Sequence, residues 1–598
     1  MSEYKAPISD MKFVMTELAG LDEVQSLPGC EDVTTDLVDA ILGEADKFAS
    51  NVLSPLNVSG DKEGAHWNNG DVKTAVGWKQ AYQQFVEGGW GALACNPEYG
   101  GQGLPKLVST AVLEMWESSN MAFSLCPMLT NGAIEALMLC GTEEQKKAYL
   151  PKLISGEWTG TMNLTEPQAG SDLAAVRSKA EPRGDGTYNV FGQKIFITYG
   201  DHDMTDNIIH LVLARLPDAP EGVKGISLFV VPKFLLNEDG TPGKRNDVQC
   251  VSIEHKLGIH ASPTCVLAFG EKGGAIGTLV GEPNRGLEYM FIMMNEARYA
   301  VGMEGLSLSE RAYQQALEYA KDRIQGTDAG VKGGPKVSII HHADIRRMLL
   351  SMKAQTEAMR AVAYVVGAAM DKAHRAGDDK VRQENQAFVD LMIPIVKGWL
   401  TENSIDVTST GIQVHGGMGF IEETGAAQHY RDARITPIYE GTTGIQATDL
   451  VGRKIGREQG VTIKKVIVQM KETLQAVQGR KEPAMVAVAS SLDEGIKALE
   501  RAVDFIVTTF PKNIKQVQAG SVPFLKLFGT VSGGWQMARA ALAAQKHVDS
   551  GSGDLNFYRA KVLTAYFYAE HVMSQAAGFS RAVCTGFDPV LEMEEQMF

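Results

Sequence analysis

Apolar residues recur at two different spacings along this chain, and each change of spacing marks a change of structure. Between Thr34 and about Leu153 the period is helical, with Val38, Ile41, Leu42 and Ala45 at i, i+3, i+4 and i+7. The run Asn96–Gly103, NPEYGGQG, breaks that pattern as a loop, and Gly141-Thr142 breaks it again. From Trp158 the chain turns to short stretches rich in Val, Ile, Phe and Thr, at 187–198, 208–214, 225–231 and 263–269. Turn residues separate them, which predicts a β-domain of roughly 110 residues closing near GEPNRG at Gly281–Gly286. Helical period then returns, and Ile345, Met348, Leu349 and Met352 share one helix face.

Beyond residue 460 a second helical block follows. Ile463, Val466, Ile467, Met470, Leu474 and Val477 form one stripe, and Leu492, Ile496, Leu499, Val503 and Ile506 another. With two more helical stretches, at about 521–548 and 555–578, they predict a bundle. The expected class is therefore α+β. A polar arm at 1–35, with an amphipathic piece at Met11–Leu18, precedes a helical domain at 36–157. A middle β-domain at 158–282, a helical domain at 283–456 and the additional bundle at 460–598 complete the chain.

A chain of 598 residues exceeds one ordinary core, so several domains are required. A net charge of −15 argues against a general nucleic-acid binder, because affinity for phosphates comes from Lys and Arg. The seven cysteines show no paired or metal-ligand spacing and read as small buried hydrophobes, with no metal expected. The N-terminal MSEYKAPISDMKF has neither an apolar core nor an Arg-rich amphipathic pattern, and EEQMF carries no peroxisomal address. The longest uninterrupted apolar helical run, Ala361–Met370, falls far short of the roughly 20 residues of a membrane span. A cytoplasmic protein is expected.

Candidate chemistry centres on Ile438–Thr443, IYEGTT, where a carboxylate stands between an aromatic residue and a glycine. Glycine beside an acid lets backbone N–H groups approach a carbonyl oxygen while the acid takes a proton from the neighbouring carbon. Upstream lie LTEPQAGSD at Leu164–Asp172, KIFIT at Lys194–Thr198 and QVHGGMGF at Gln413–Phe420. The last follows a helical segment, whereas a dinucleotide fingerprint follows a strand. No HExxH, G-x-S-x-G or Walker loop competes, and the adjacent His341 and His342 are poorly placed to act as a pair.

In this order the motifs resemble the acyl-CoA dehydrogenases over roughly residues 40–455. The resemblance implies FAD-dependent α,β-dehydrogenation of an acyl-CoA thioester, as in fatty-acid β-oxidation. Glu440 would remove the α-proton and flavin N5 would take the β-hydride. In some members the base stands earlier, just before an arginine. Here that place is Ala297 before Arg298, with Glu296 one helical step, about 100°, away. The resemblance also implies FAD contacts at Thr165, Ser171, Phe196, Thr198, Arg323, Gln413, Gly417 and Thr442, and substrate contacts at Ser171, Arg298, Tyr439 and Gly441. Phe196 stands where Trp is usual, and Gly444 where Gln or Asn is usual. Arg323 lacks the usual continuation, which leaves helix capping as its alternative.

FITYGDHD at Phe196–Asp203, the arm and the extra bundle are similar to a bacterial branch that includes 3-methylthiopropanoyl-CoA dehydrogenases and fatty-acyl relatives. The residues favour a saturated fatty acyl-CoA, with the thioether substrate as the alternative. An electron-transferring flavoprotein as acceptor and a homodimer are further implications. An acyl-CoA oxidase and a DNA-binding alkylation-response flavoprotein share the fold; the nearly balanced charge of 460–598 argues against the second.

Overall fold

A computed structural model describes residues 3–598 and resolves two compact units. One contains the chain up to Ala45, Pro105–Ser118 and Val301–Phe598; the other contains Asp46–Leu104 and Ser119–Ala300.

The second unit is built around an eight-stranded sheet. Its strands are β1 (Trp158–Asn163), β2 (Lys179–Pro182), β3 (Tyr188–Thr198), β4 (Asn207–Ala214), β5 (Ser227–Pro232), β6 (Val248–Ile253), β7 (Thr264–Phe269) and β8 (Ala275–Val280). Their order is β6-β7-β3-β8-β5-β4-β1, with β2 also pairing β3. Only β1 and β4 pair in parallel, Trp158 opposite Asn207. Every residue of β1, β4 and β5 is buried, as expected for strands covered on both faces. The long β3 contacts β7 along its second half and β8 along its first. It passes Ser178 at Gly192, where an added Cβ would lie 2.2 Å from the serine hydroxyl.

In the first unit, helices Ala343–Arg375 and Asp379–His415 pack along each other across a three-residue connection, Ala376–Asp378. The bundle helix Ser521–Ser550 lies against Trp399 because Gly529 and Gly533 leave room; a Cβ at Gly529 would stand 2.2 Å from Trp399 Cγ. Arg360 sits at the centre of this unit, buried. It donates to Glu114 at 2.7 Å, to Glu310 at 2.7 Å and to Asp10 of the N-terminal arm at 2.5 Å. Lys561 of the bundle bonds the same Asp10 and donates to Glu357 at 2.9 Å. A buried cation needs such partners, and here they tie the arm, three long helices and the bundle together.

By length and composition, helix Lys106–Cys140 is apolar enough to cross a membrane. Counting uninterrupted apolar runs overlooks it, because Ser124, Thr130, Asn131 and Glu135 interrupt the apolar text. Its most apolar window is 72% buried, and the helix breaks at Asn120, with φ −159° and ψ 85°. Asn120 satisfies the break by donating to the Leu53 carbonyl at 3.2 Å and accepting from Phe123 N at 3.1 Å.

Candidate active site

The IYEGTT segment lies between helices Ala426–Ala433 and Thr443–Asp449 of the first unit. Thr442 starts the second helix, its Oγ1 accepting from Ile445 N at 3.2 Å. Glu440 adopts a left-handed backbone with φ 53°, and Gly441 follows at φ 88°. A non-glycine residue there costs on the order of 1–3 kcal/mol and persists only where its surroundings impose it. Gln446 does so, its amide donating to the Glu440 and Gly441 carbonyls at 3.2 and 3.3 Å. A Cβ at position 441 would come within 2.7 Å of that amide, which explains the glycine. The Glu440 side chain is half-buried.

Tyr439 points its hydroxyl inward and donates it to the carboxylate of Glu304, a fully buried residue that sequence reasoning missed. Burial pushes the Glu304 carboxyl up to about 8. The Tyr439 hydrogen bond and the Lys397 charge oppose that rise, and the Glu440 charge adds to it. Glu117 is buried with it and is pushed well above the carboxylate range by burial and by the charge of Glu304. Lys397, also buried, donates to the Thr436 carbonyl at 2.9 Å and so steadies the turn before the motif.

The second unit carries the other motifs. Ile195 N donates to Thr165 O at 2.9 Å, which joins LTEPQAGSD to the start of KIFIT. Beneath this junction the fully buried Lys194 donates to Glu166 at 2.8 Å and to the Leu164 carbonyl at 3.0 Å. Glu166 also accepts from Arg177 N at 2.8 Å and Ser178 N at 3.1 Å. Burial would raise its carboxyl, but the Lys194 charge and these donors hold it at about 2. Burial lowers the Lys194 amine to about 8 against the pull of Glu166, so both groups are charged at neutral pH. Above the pair, Phe196 takes a left-handed backbone at φ 60° and is 59% exposed. Thr165 and Thr198 are half-buried, Ser171 is exposed, and a Cβ at Gly170 would meet nothing. An uncovered aromatic face beside hydroxyls and an open glycine turn fits a planar ring such as isoalloxazine.

Arg298, on helix Gly286–Asp322, is buried with its guanidinium 5.9 Å from the Phe291 ring. Ala297 beside it is buried and Glu296 half-buried. Arg323 ends that helix exposed, its N–H donating to Tyr319 O at 2.9 Å. Gln413 and Gly417 are exposed at the end of helix Asp379–His415, and Phe420 beyond them is 86% exposed. His342 leads helix Ala343–Arg375 with its Nε2 2.7 Å from the Gln325 carbonyl, a structural role. The expected residues thus fall into two sets. Glu440, Tyr439, Gly441, Thr442, Arg323, Gln413 and Gly417 belong to the first unit, and Thr165, Ser171, Phe196, Thr198 and Arg298 to the second.

Family models match nearly all of the chain: the acyl-CoA dehydrogenase N-terminal domain at 35–157, the middle domain at 161–271 and the C-terminal domain at 284–455. An acetyl-CoA dehydrogenase C-terminal-like model matches 466–594. The chain is 49% identical to a 3-methylmercaptopropionyl-CoA dehydrogenase of Ruegeria pomeroyi, over 98% of both chains. It is 36% identical to the broad-specificity linear acyl-CoA dehydrogenase FadE5 of Mycobacterium tuberculosis, over 100% of both. Its fold matches an acyl-CoA dehydrogenase of Bacillus anthracis solved with FAD, with a TM-score of 0.73, 22% identity and coverage of 97% of this chain and 93% of that one.

The chain belongs to the acyl-CoA dehydrogenase family. It is an FAD-dependent oxidoreductase acting on acyl-CoA thioesters, and it carries the additional C-terminal helical region.

Proposed function

We propose that Glu440 removes the α-proton of the acyl thioester, and the imposed left-handed backbone of Glu440 is the observation that carries this reading. Strain is kept where it serves a site. Gln446 and the cap at Thr442 fix the Glu440 backbone, while Gly441 leaves N–H groups open towards a thioester carbonyl. Arg298 and Ser171 hold the substrate; Thr165, Thr198 and Phe196 hold the flavin. When bound, FAD supplies acceptance of the β-hydrogen as hydride. Arg323, Gln413, Gly417 and Thr442 would hold the remainder of that cofactor. Glu440→Gln tests the base. Yellow protein should be retained while turnover falls on the order of a hundredfold to ten-thousandfold. Near wild-type turnover would move the base elsewhere, with Glu296 the next residue to test.

For the acyl group we propose a short substrate, 3-methylthiopropanoyl-CoA first among those to test. Ser124, Met128 and Gly132 share one face of their helix. Gly132 offers room for a long chain, but the buried Met293 fills it, with Met293 Cε 3.7 Å from where a Cβ at Gly132 would lie. The 49% identity to the Ruegeria enzyme favours the same substrate, and the 36% identity to FadE5 sustains linear acyl-CoA as the second reading. Steady-state kcat/KM over C4 to C18 acyl-CoAs and the thioether decides between them; an optimum at C12 or beyond would sink the proposal. An electron-transferring flavoprotein is the proposed acceptor, and fast oxygen consumption without it would indicate an oxidase instead. We also place the protein in the cytoplasm as a homodimer; sedimentation checks the dimer.

A further inference from the structure

The additional C-terminal bundle packs against the segment that carries Glu440. Its helix Ser521–Ser550 lies on helix Thr443–Asp449, the helix that follows Glu440. Two neighbouring side chains of the bundle helix, Leu525 and Lys526, approach the motif by separate routes. Lys526 pairs with Glu402 of helix Asp379–His415, Nζ to Oε2 at 3.3 Å. The other oxygen of Glu402, Oε1, accepts the buried Thr443 hydroxyl at 2.7 Å. Thr443 in turn closes the loop that holds Glu440, its N–H donating to the Pro437 carbonyl at 2.9 Å. Asp406, one turn beyond Glu402, is a second carboxylate facing Lys526. Leu525 is fully buried and borders the same glycine as Gln446. A Cβ at Gly398 would lie 2.6 Å from Leu525 Cδ1 and 3.4 Å from Gln446 Cβ. Gln446 is the residue whose amide holds the Glu440 and Gly441 carbonyls.

We propose that the bundle is part of the catalytic scaffold: Lys526 is a positioning residue that acts through Glu402 and Thr443 to hold the Glu440 loop in place. The proposal rests on the assignment of Glu440 as base, and it gives the additional C-terminal region a role in placing that base. Glu440 stands on a strained backbone, which persists only while its surroundings fix it. A Glu402 carboxylate held between a cation and a hydroxyl has one geometry. Without the cation a half-buried Glu402 is free to change rotamer and release Thr443. Misplacing a reacting group by about 1 Å costs on the order of a hundredfold in rate, so a small loosening of the loop shows in the chemical step. An ion pair as exposed as Lys526–Glu402 contributes little to stability. Its effect is therefore read in rate, not in unfolding.

The test is the single-turnover rate of flavin reduction by saturating butanoyl-CoA, measured on holoenzyme beside butanoyl-CoA affinity and flavin content. Glu402→Ala removes both contacts and should slow flavin reduction by on the order of tenfold to a hundredfold, with affinity and flavin content retained. Lys526→Met should slow it by a smaller factor, and Lys526→Arg, which keeps the charge, should restore most of the rate. Because Lys526 acts through Glu402, Lys526→Met should add nothing to Glu402→Ala in a double-mutant cycle. Lys471→Met is the control. It breaks a pair between two other bundle helices, Lys471–Glu500 at 2.6 Å, and should leave the rate unchanged. If Glu402→Ala does not fold, the partly exposed Lys526 and its Arg rescue carry the test. A rate unmoved in Lys526→Met, single effects that multiply in the double variant, or lost flavin that accounts for the whole fall in rate overturns the proposal. Glu440→Gln separates the two readings. Its inactivity beside an unmoved rate in Lys526→Met removes only this inference, whereas retained activity removes the base assignment as well.

Discussion

Glu166 and Glu304 are both fully enclosed, one in each unit, and they hold their protons at opposite ends of the scale. Glu166 receives a lysine, two backbone N–H groups and the Gln168 amide, and its carboxyl stays at about 2. Glu304 receives one phenol hydroxyl, and burial leaves it at about 8. Burial alone acts in the same direction on both, so the number and charge of donors decides between them. The first arrangement locks a loop, since Lys194 and Glu166 join the strand that carries Phe196 and Thr198 to the loop that carries Thr165. The second leaves a group poised to exchange a proton near neutrality, the kind of group an acid–base site needs.

The largest effect expected from this contrast comes from Lys194→Met. The lysine is fully buried, so its removal leaves Glu166 a buried carboxylate without a cation in the loop beside the sheet. Breaking a buried pair from one side costs about 3–5 kcal/mol. Thermal denaturation should show that loss, and flavin should be released as the Thr165 junction loosens. A loss below about 1 kcal/mol, typical of an exposed pair, would mean that the backbone donors and the Gln168 amide hold Glu166 without the lysine.

How much of this was readable beforehand depends on the distance over which each signal is written. The bundle stripes were readable: Ile463, Val466, Ile467, Met470, Leu474 and Val477 are all buried, as are Leu492, Ile496, Leu499, Val503 and Ile506. A 3.6-residue period is local, and burial follows from it. The motif strings were also local. Glu304 and Glu117 were not readable, because Ser307 and Glu117, which link them, are 190 residues apart and each acid sits in ordinary helical text. Lys194 and Glu166 stood inside quoted motifs, yet their pairing emerges only when the strand meets the loop. Gly529 and Gly533 conventionally weaken a helix; their value lies in the Trp399 and Tyr568 rings they admit.

A middle-sized effect separates the two acids by pH. The folded Glu304 binds its proton up to about 8, whereas an unfolded Glu releases it near 4.5. Between those values the native state holds the extra proton, so stability falls as pH rises, and the fall ends above 8. From pH 6 to 8 the contribution is about 2 kcal/mol. Glu166 has the opposite sign: its stabilisation is present above about 4.5 and is lost as pH falls towards 2. Denaturant unfolding of wild type and Glu304→Gln at pH 6, 7 and 8 isolates the first term. The difference should shift steadily in favour of the Gln variant as pH rises, and a constant difference would show that Glu304 is ionised throughout.

Smaller still is the effect of relieving backbone strain, and it sharpens the comparison between the two units. Glu440 in one and Phe196 in the other both take left-handed backbones, at φ 53° and 60°. Neither side chain is buried, so neither contributes much packing to offset that cost. Glycine adopts such a backbone freely but loses more entropy on folding, a partial cancellation. Glu440→Gly and Phe196→Gly should therefore leave the flavin-free protein as stable as wild type, or more stable by up to about 1 kcal/mol, while both lose activity. Tyr199 is the control, since its φ is 48° yet it is buried. Its hydroxyl donates to the Ala122 carbonyl at 2.7 Å and accepts from Trp78 Nε1 at 3.1 Å. There the side chain stabilises more than the backbone strain costs, and Tyr199→Gly should lose about 3–5 kcal/mol, as large core truncations do. Chemical denaturation of the three variants orders them. If Glu440→Gly fell with Tyr199→Gly, the strained backbone at Glu440 would be a product of packing, and its link to catalysis would lose its support.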